Sequence, residues 1–243
     1  KIWTSHGHHA DWIFALVRTS NEGKKQEGIT FLLIDMKTPG LEVRPIISID
    51  GGHYLNEVFF TDVRVPVANR IGEENKGWTY AKFLLGNERS SIAGVGKSKM
   101  KVEKIVAAAK GAPGRDGGTL WDDPAFRGRV MQVAVKLAAH ETTNLRMLAR
   151  EARGEQIGAE ASQIKINGTE VEQALNELLV EATGYFAAPY DRDTLRADAN
   201  IDLVGPEFGR GAMTEHLLKR AASIYGGTNE IQREIIAKRV LGL

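Results

Sequence analysis

Apolar and polar positions alternate through the first part of the chain and then change period. Trp12-Ile-Phe-Ala-Leu-Val17 is a short apolar run between polar residues, the pattern of a buried strand. A polar connection, Ser20 to Gly28, leads to a second run, Ile29-Thr-Phe-Leu-Leu-Ile34. Thr38-Pro-Gly40 reads as a turn, because Pro39 fixes φ and Gly40 tolerates positive φ. Leu41-Glu-Val-Arg-Pro-Ile46 alternates until Pro45 interrupts it, and Asn56 to Val65 alternates again up to Pro66. Short strands at this spacing predict a barrel or sandwich segment. Gly51-Gly52 reads as a turn.

From Gly77 the period becomes helical. Gly111 to Gly118 is a break rich in glycine. Asp122-Asp-Pro124 marks a helix start, since proline is tolerated in the first turn. That helix runs to about Arg153. Gly154 and Gly158 mark a turn, and a further helix covers Ala161 to about Phe186. Pro189 to Asp193 reads as loop. Another helix ends near Tyr225-Gly-Gly227, and Thr228 reads as the N-cap of the last one. The predicted fold class is α+β: a β-barrel or sandwich segment over residues 1–72, then an antiparallel four-helix-type bundle over residues 73–243. Met100 and the aromatic residues on the helices read as core packing, and Lys97 to Lys104 as a solvated helix face.

Composition narrows the function. The chain has 243 residues, 42% hydrophobic, which suits one large or two modest domains with a real core. Lys+Arg 32 against Asp+Glu 31 gives +1, so electrostatics offers no case for nucleic acid or an anionic membrane. The absence of cysteine excludes disulfides, thiolate metal sites and cysteine nucleophiles. No apolar run approaches the roughly 18 residues that span a bilayer. With no secretory signal visible, a soluble cytoplasmic protein is the default expectation. The chain begins at Lys1 inside a strand-like stretch, which points to missing upstream sequence. His6-Gly-His-His9 is a histidine cluster without carboxylates at ligand spacing, so no metal is assigned.

One position on the helical segment stands out as chemistry. Leu84, Glu88, Ile92 and Val95 fall at i, i+4, i+8 and i+11, which places Glu88 on an apolar stripe. A carboxylate there is partly desolvated and becomes a stronger base. A structural glutamate paired with an arginine is the plainer alternative.

The tail, Ser223-Ile-Tyr-Gly-Gly-Thr-Asn-Glu-Ile-Gln-Arg233 and onward to Leu243, resembles the C-terminal signature of flavin-dependent acyl-CoA dehydrogenases. Lys1-Ile-Trp-Thr-Ser5, Thr38-Pro-Gly-Leu41, Val58 to Pro66 and Asn69 to Gly77 match the same family in order, so the likeness covers nearly the whole chain. It implies the second half of the family's middle β domain followed by its C-terminal helical domain. Well-known members carry a catalytic glutamate directly after the motif tyrosine, where this chain has Gly226. The stretch Asn87 to Gly94 resembles members whose base sits on the first C-terminal helix, so the resemblance favours Glu88.

The same resemblance implies the remaining roles. Glu88 removes the α-proton of an acyl-CoA thioester, and the Gly226 backbone N–H binds the thioester carbonyl. Trp3 and Ser5 contact the isoalloxazine of FAD, with Thr4 the alternative in a shifted register. Thr228 and Glu230 contact the ribose, pyrophosphate or adenine. Arg89 and Tyr225 lie toward the substrate. The product is a trans-2-enoyl-CoA, the electrons pass to an electron-transfer flavoprotein, and the assembly is a homo- or heterotetramer built as a dimer of dimers.

Two family elements are absent: the arginine followed by Phe-Gly, and the Gly-Gly-x-Gly stretch. Arg127, Arg129 and Arg115 are the arginines near the first, and Arg127 is carried forward as the cofactor contact. These losses leave a second class of function open, a non-catalytic partner subunit of a heterotetramer. A flavin-free acyl-CoA-binding protein is a third. Medium-chain, dicarboxylic and steroid side-chain thioesters all remain compatible with the sequence.

Overall fold

The computed structural model describes residues 1–88, 93–155, 157–189, 200–202 and 204–243, the side chains of 85–88 excepted. The chain forms two compact units, Lys1–Glu88 and Arg89–Leu243. The β-to-helix change at 72/73 therefore falls inside the first unit, which takes in the first helix.

Five strands build that unit: β1 (Trp12–Arg18), β2 (Ile29–Asp35), β3 (Leu41–Ile47), β4 (His53–Phe60) and β5 (Arg70–Ile71). They make two antiparallel sheets, β1-β2-β5 and β3-β4. β1 and β2 pair in full register from Trp12 opposite Asp35 to Arg18 opposite Ile29. Helix α1 (Gly77–Glu88) packs against β2. The predicted turn forms at Gly40, whose φ of 89° suits glycine, and it delivers the chain into β3. β3 runs through Pro45 instead of stopping there, because a two-stranded sheet has an outer edge where a missing N–H costs nothing.

The second unit is a helical bundle: α2 (Val95–Gly111), α3 (Pro124–Ala152), α4 (Glu160–Thr183), α5 (Ala212–Lys219) and α6 (Asn229–Ile236). α3 begins as its sequence predicts. Pro124 takes the first position, and the Asp123 carboxylate accepts from Ala125 N at 2.8 Å. α4 is the central helix and packs against α2, α3, α5 and α6. Its residues Val171, Leu175 and Leu179 meet Ile105 of α2 and Phe126 and Val130 of α3 in one core. α4 ends at Gly184, whose φ of 61° lets the chain turn into a short 3₁₀ segment, Gly184–Ala187. The expected loop from Pro189 continues outside the described residues.

Several expectations need correction. Residues 1–5 are not a strand: Trp3 has φ 64° and His6 φ 53°, which break a regular ladder. The segment instead pairs with β4 at Lys1, which exchanges two bonds of 2.7 Å with Val58, and then follows it through single bonds, Thr4 N to Asn56 O (3.0 Å) and His6 N to Tyr54 O (2.7 Å). Leu84 and Val95 do not share a helix, because Gly94 is left-handed (φ 59°) and α2 starts anew at Val95. Met100 is 70% exposed and packs in no core. Lys101 is not on a solvated face. Its ammonium is turned inward to Asn176 Oδ1 at 2.7 Å and Glu215 Oε1 at 2.5 Å.

Candidate functional site

The richest local geometry is the turn between α5 and α6. After a 3₁₀ segment, Arg220–Ser223, the chain passes through Tyr225, Gly226 and Gly227 to Thr228. Gly226 (φ 66°) and Gly227 (φ 85°) both take the left-handed conformation, which side-chain-bearing residues avoid. Thr228 caps α6 as expected, its hydroxyl accepting from Ile231 N at 3.2 Å. The N–H groups of Gly226, Gly227, Thr228 and Asn229 lie at and just before the start of α6, where a helix leaves its first amides without intrahelical partners. Consecutive free amides at a helix N-terminus form a concave donor array suited to an oxyanion or a phosphate.

This turn is braced from inside the bundle. Lys165 of α4 is 1% exposed and donates to Asn229 Oδ1 at 2.8 Å. Burial pushes the Lys165 ammonium below its ordinary value, and the Glu230 carboxylate opposes that shift. Gln232 is also buried and donates to Gly227 O at 3.4 Å. Glu230 is exposed, its carboxyl held below the usual range first by a backbone N–H and then by the Thr228 hydroxyl.

Tyr225 is half-exposed and faces Lys219, which in turn pairs with Glu172 at 2.9 Å. Burial raises the tyrosine's pKa, and the Lys219 charge pulls the other way. Lys219, Glu172, Lys101 and Glu215 line a cavity of about 390 Å³. A separate apolar cavity of about 460 Å³ in the first unit is lined by Phe14, Phe31, Leu33, Tyr80 and Leu84.

The other expected site residues are placed as follows. Trp3 is 62% exposed, so its indole is not a core residue. Thr4 and Ser5 sit on the irregular segment beside β4, and Ser5 is exposed. Arg127 is on α3, one guanidinium N–H bonded to Trp121 O at 3.0 Å. Arg129 is committed to Glu181 of α4. Glu88 ends α1, but its side chain lies outside the described residues, as does all of Arg89. The tail residues and Arg127 thus belong to one unit and Trp3, Thr4 and Ser5 to the other. Among the described residues, no group of three or more His, Cys, Asp or Glu is arranged to hold a metal ion. No described helix is long and apolar enough to cross a membrane.

Sequence reasoning did not single out Lys165, Lys219 or Asn56. Lys165 lies on the row of Ala161, Gly168 and Val171, all buried, so helical spacing carried the signal.

The family model for the acyl-CoA dehydrogenase C-terminal domain matches residues 75–241. The chain belongs to the acyl-CoA dehydrogenase family. Acyl-CoA dehydrogenase IpdE1 of Mycolicibacterium smegmatis is 33% identical across 100% of this chain and 56% of its own length. Acyl-CoA dehydrogenase FadE29 of Mycobacterium tuberculosis is 32% identical across 98% of this chain and 58% of its own length. The chain therefore spans a little over half the length of these curated relatives. Among solved structures, the Tcur3481-Tcur3483 steroid ACAD superposes with a TM-score of 0.84 at 27% identity, covering 100% of this chain and 59% of that one. The ChsE4-ChsE5 complex from Mycobacterium tuberculosis gives 0.82 at 28% identity, over 99% and 59%. Members of this acyl-CoA dehydrogenase family are flavin-dependent oxidoreductases, and the small antiparallel β segment followed by a helical bundle matches part of their fold.

Proposed function

We propose that this chain is the C-terminal part of an FAD-dependent acyl-CoA dehydrogenase that oxidises an acyl-CoA thioester to its trans-2-enoyl-CoA. The observation that carries the reading is the Tyr225–Asn229 turn. It sets the backbone N–H groups from Gly226 to Asn229 at a capped helix start, with a buried ammonium behind them. The donor set fits FAD and a thioester oxygen, since both present oxygen acceptors or phosphates to N–H groups.

In this reading Glu88 is the base that takes the α-proton. The Gly226 N–H donates to the thioester carbonyl oxygen and stabilises the negative charge that develops there. FAD, when bound, supplies a two-electron acceptor for the β-hydride. Trp3 and Ser5, with Thr4 as the neighbour, contact its ring side. Thr228, Glu230 and Arg127 hold its ribose and phosphate side. Tyr225 and Arg89 flank the substrate. The apolar cavity under Tyr80 and Leu84 lies on the helix that ends at Glu88, which supports an acyl substrate with a large apolar part. The steroid enzyme among the structural neighbours makes a steroid side-chain thioester the first substrate to try. Electrons leave through an electron-transfer flavoprotein, and the assembly is a tetramer in the cytoplasm.

A second reading, a non-catalytic partner subunit, is favoured by the missing Phe-Gly and Gly-Gly-x-Gly elements. The two-component names of the structural neighbours also favour it. One experiment separates the readings. The visible spectrum of the purified protein is recorded without oxygen before and after a panel of acyl-CoAs, then repeated for Glu88→Gln. The catalytic reading expects a flavin band that bleaches with one thioester. It expects the variant to keep the band while bleaching slows by about 10²–10⁴-fold. A band that bleaches equally fast in Glu88→Gln removes Glu88 as the base. A protein with no flavin band, alone and with its partner, removes the catalytic reading.

A further inference from the structure

Asn56 is 0% exposed on β4, and its carboxamide touches three residues. Nδ2 lies 3.1 Å from the Thr4 carbonyl oxygen. A carbonyl only accepts, so that contact fixes which end of the amide is nitrogen. Oδ1 then faces His53 Nε2 at 2.8 Å, which must carry a proton. The remaining Nδ2 proton points at His8 Nδ1, 3.1 Å away, so this nitrogen must present its lone pair. His8 is therefore neutral, with its proton on Nε2. The Asn56 backbone carbonyl also accepts from Thr4 N at 3.0 Å, so one residue holds both polar groups of Thr4.

The surroundings reinforce the neutral state. The His8 ring stacks on His53 at 3.8 Å between centroids and lies 3.9 Å from His9. Burial, then His53 and His9, hold His8 below the usual histidine range, with the Asn56 hydrogen bond pulling the other way. His6 approaches from the same segment and is itself edge-on to Tyr54 of β4, which faces the buried Asp50, while Lys37 from the turn after β2 lines a cavity with His8 and His53. The Asp50 carboxylate acts on Tyr54 and not on His8. Gly7 is buried inside the clamp, where a Cβ would come within 3.2 Å of Thr4 Cγ2. The histidine cluster that looked like a failed metal site thus has a different job.

We propose that Asn56 is a positioning residue that locks Thr4 and Ser5 in place by gripping Thr4 and a neutral His8 at once. The consequence for cofactor binding rests on the flavin reading of Trp3, Thr4 and Ser5. Because their pairing with β4 is interrupted after Lys1, the clamp supplies part of the hold that a continuous strand would provide. Protonating His8 puts a hydrogen on Nδ1 where Asn56 already donates, so the carboxamide must turn and release the Thr4 carbonyl, leaving Thr4 held only by its own N–H on the Asn56 backbone carbonyl.

The test uses nitrogen-15 NMR of the imidazoles and amide hydrogen exchange between pH 5 and 8. It compares wild type, Asn56→Ala and His8→Phe. The expected results are a His8 Nε2–H tautomer and Thr4 exchange at least about tenfold faster in Asn56→Ala, with β1–β2 amides unchanged. In wild type, Thr4 protection falls in step with His8 protonation; in His8→Phe, corrected protection no longer follows pH. A His8 Nδ1–H tautomer overturns the proposal, as does Thr4 exchange indifferent to Asn56 or to His8 charge. The tautomer and pH arms need only wild type, so a misfolded variant leaves the test intact. Flavin fluorescence titration adds a separate arm. FAD binding at least about tenfold weaker in Asn56→Ala is expected, and equal binding overturns the positioning role. A wild type that shows the clamp but binds no FAD overturns the flavin reading instead.

Discussion

Lys165 Nζ donates to Asn229 Oδ1 at 2.8 Å, and both side chains are buried under the turn that carries Gly226. A lysine held below its ordinary pKa has a definite linkage sign. Between that lowered native value and the unfolded value of about 10.4, the unfolded chain binds more protons, so stability rises with pH. Lys165→Met leaves Asn229 short of its donor, a cost of about 1–3 kcal/mol at pH 7. It also loses the alkaline rise. Urea melts at neutral and alkaline pH are expected to show a deficit that widens as pH increases. A deficit that shrinks would mean the ammonium is not the buried form.

The same pair shows what a sequence can and cannot disclose. Thr228 was legible as a cap because its effect is local, reaching three residues along to Ile231. Pro124 and Gly40 were legible for the same reason. Lys165 lay on a buried helical row but offered no hint that its partner stood 64 residues away. Asn56 and His8 are 48 residues apart, and a histidine cluster alone could not say that a carboxamide organises it. The stripe's last step, to Val95, failed because periodicity does not register a left-handed residue such as Gly94, while Ile92 and the Glu88 side chain lie outside the described residues. Strand pairing of residues 1–5 failed in the same way at Trp3 and His6.

Removing the cap hydroxyl isolates the helix start from the brace beneath it. Thr228→Ala is expected to destabilise the protein by about 1 kcal/mol, and Thr228→Ser to recover most of it. Gly227→Ala acts differently. Its φ is 85° and a Cβ would lie 2.5 Å from Gln232 Nε2, so the backbone strain of about 1–2 kcal/mol comes with a displaced Gln232. Thermal melts of the three variants check the ranking. A neutral Gly227→Ala would show that the turn relaxes freely.

Two tyrosines are raised above the ordinary range, Tyr54 by burial and Asp50, and Tyr225 by burial against the pull of Lys219. Ultraviolet titration is expected to show late-ionising phenol, and Tyr225→Phe to remove part of it. Lys219→Met takes away a cation that favours the phenolate, so Tyr225 must ionise later still. An earlier transition in Lys219→Met would place Tyr225 away from Lys219 in solution.

Asp122 offers an acid-side test of the break before α3. Its carboxylate accepts from Thr119 N at 2.9 Å and from the Thr119 hydroxyl at 2.8 Å. These bonds hold its pKa below the ordinary aspartate value, the backbone bond first. The stability they confer is full above the unfolded value of about 3.9 and disappears as pH falls through the lowered native one. Asp122→Ala is therefore expected to lose stability at neutral pH and to close the gap with wild type at low pH. A gap that stays constant down to pH 2 would assign the effect to packing and not to the charge.

Under the proposed flavin reading Arg127, Arg129 and Arg115 are the candidates for the phosphate contact, and the first two differ in how far their guanidinium is already engaged. Arg129 is committed to Glu181, tying α3 to α4, and also sits 5.7 Å from the Phe126 ring centroid. Arg127 spends one N–H on Trp121 O and keeps the rest of its fork in solvent. A planar fork with free donors suits a phosphate. Arg127→Ala is expected to weaken FAD affinity roughly tenfold or more while leaving the melting point nearly unchanged. Arg129→Ala is expected to do the reverse, lowering stability by up to about 1 kcal/mol with little effect on FAD. Both are read by flavin fluorescence titration beside a thermal melt. If Arg129→Ala loses FAD instead, its pairing with Glu181 gives way to the cofactor, and Arg129 is the phosphate contact.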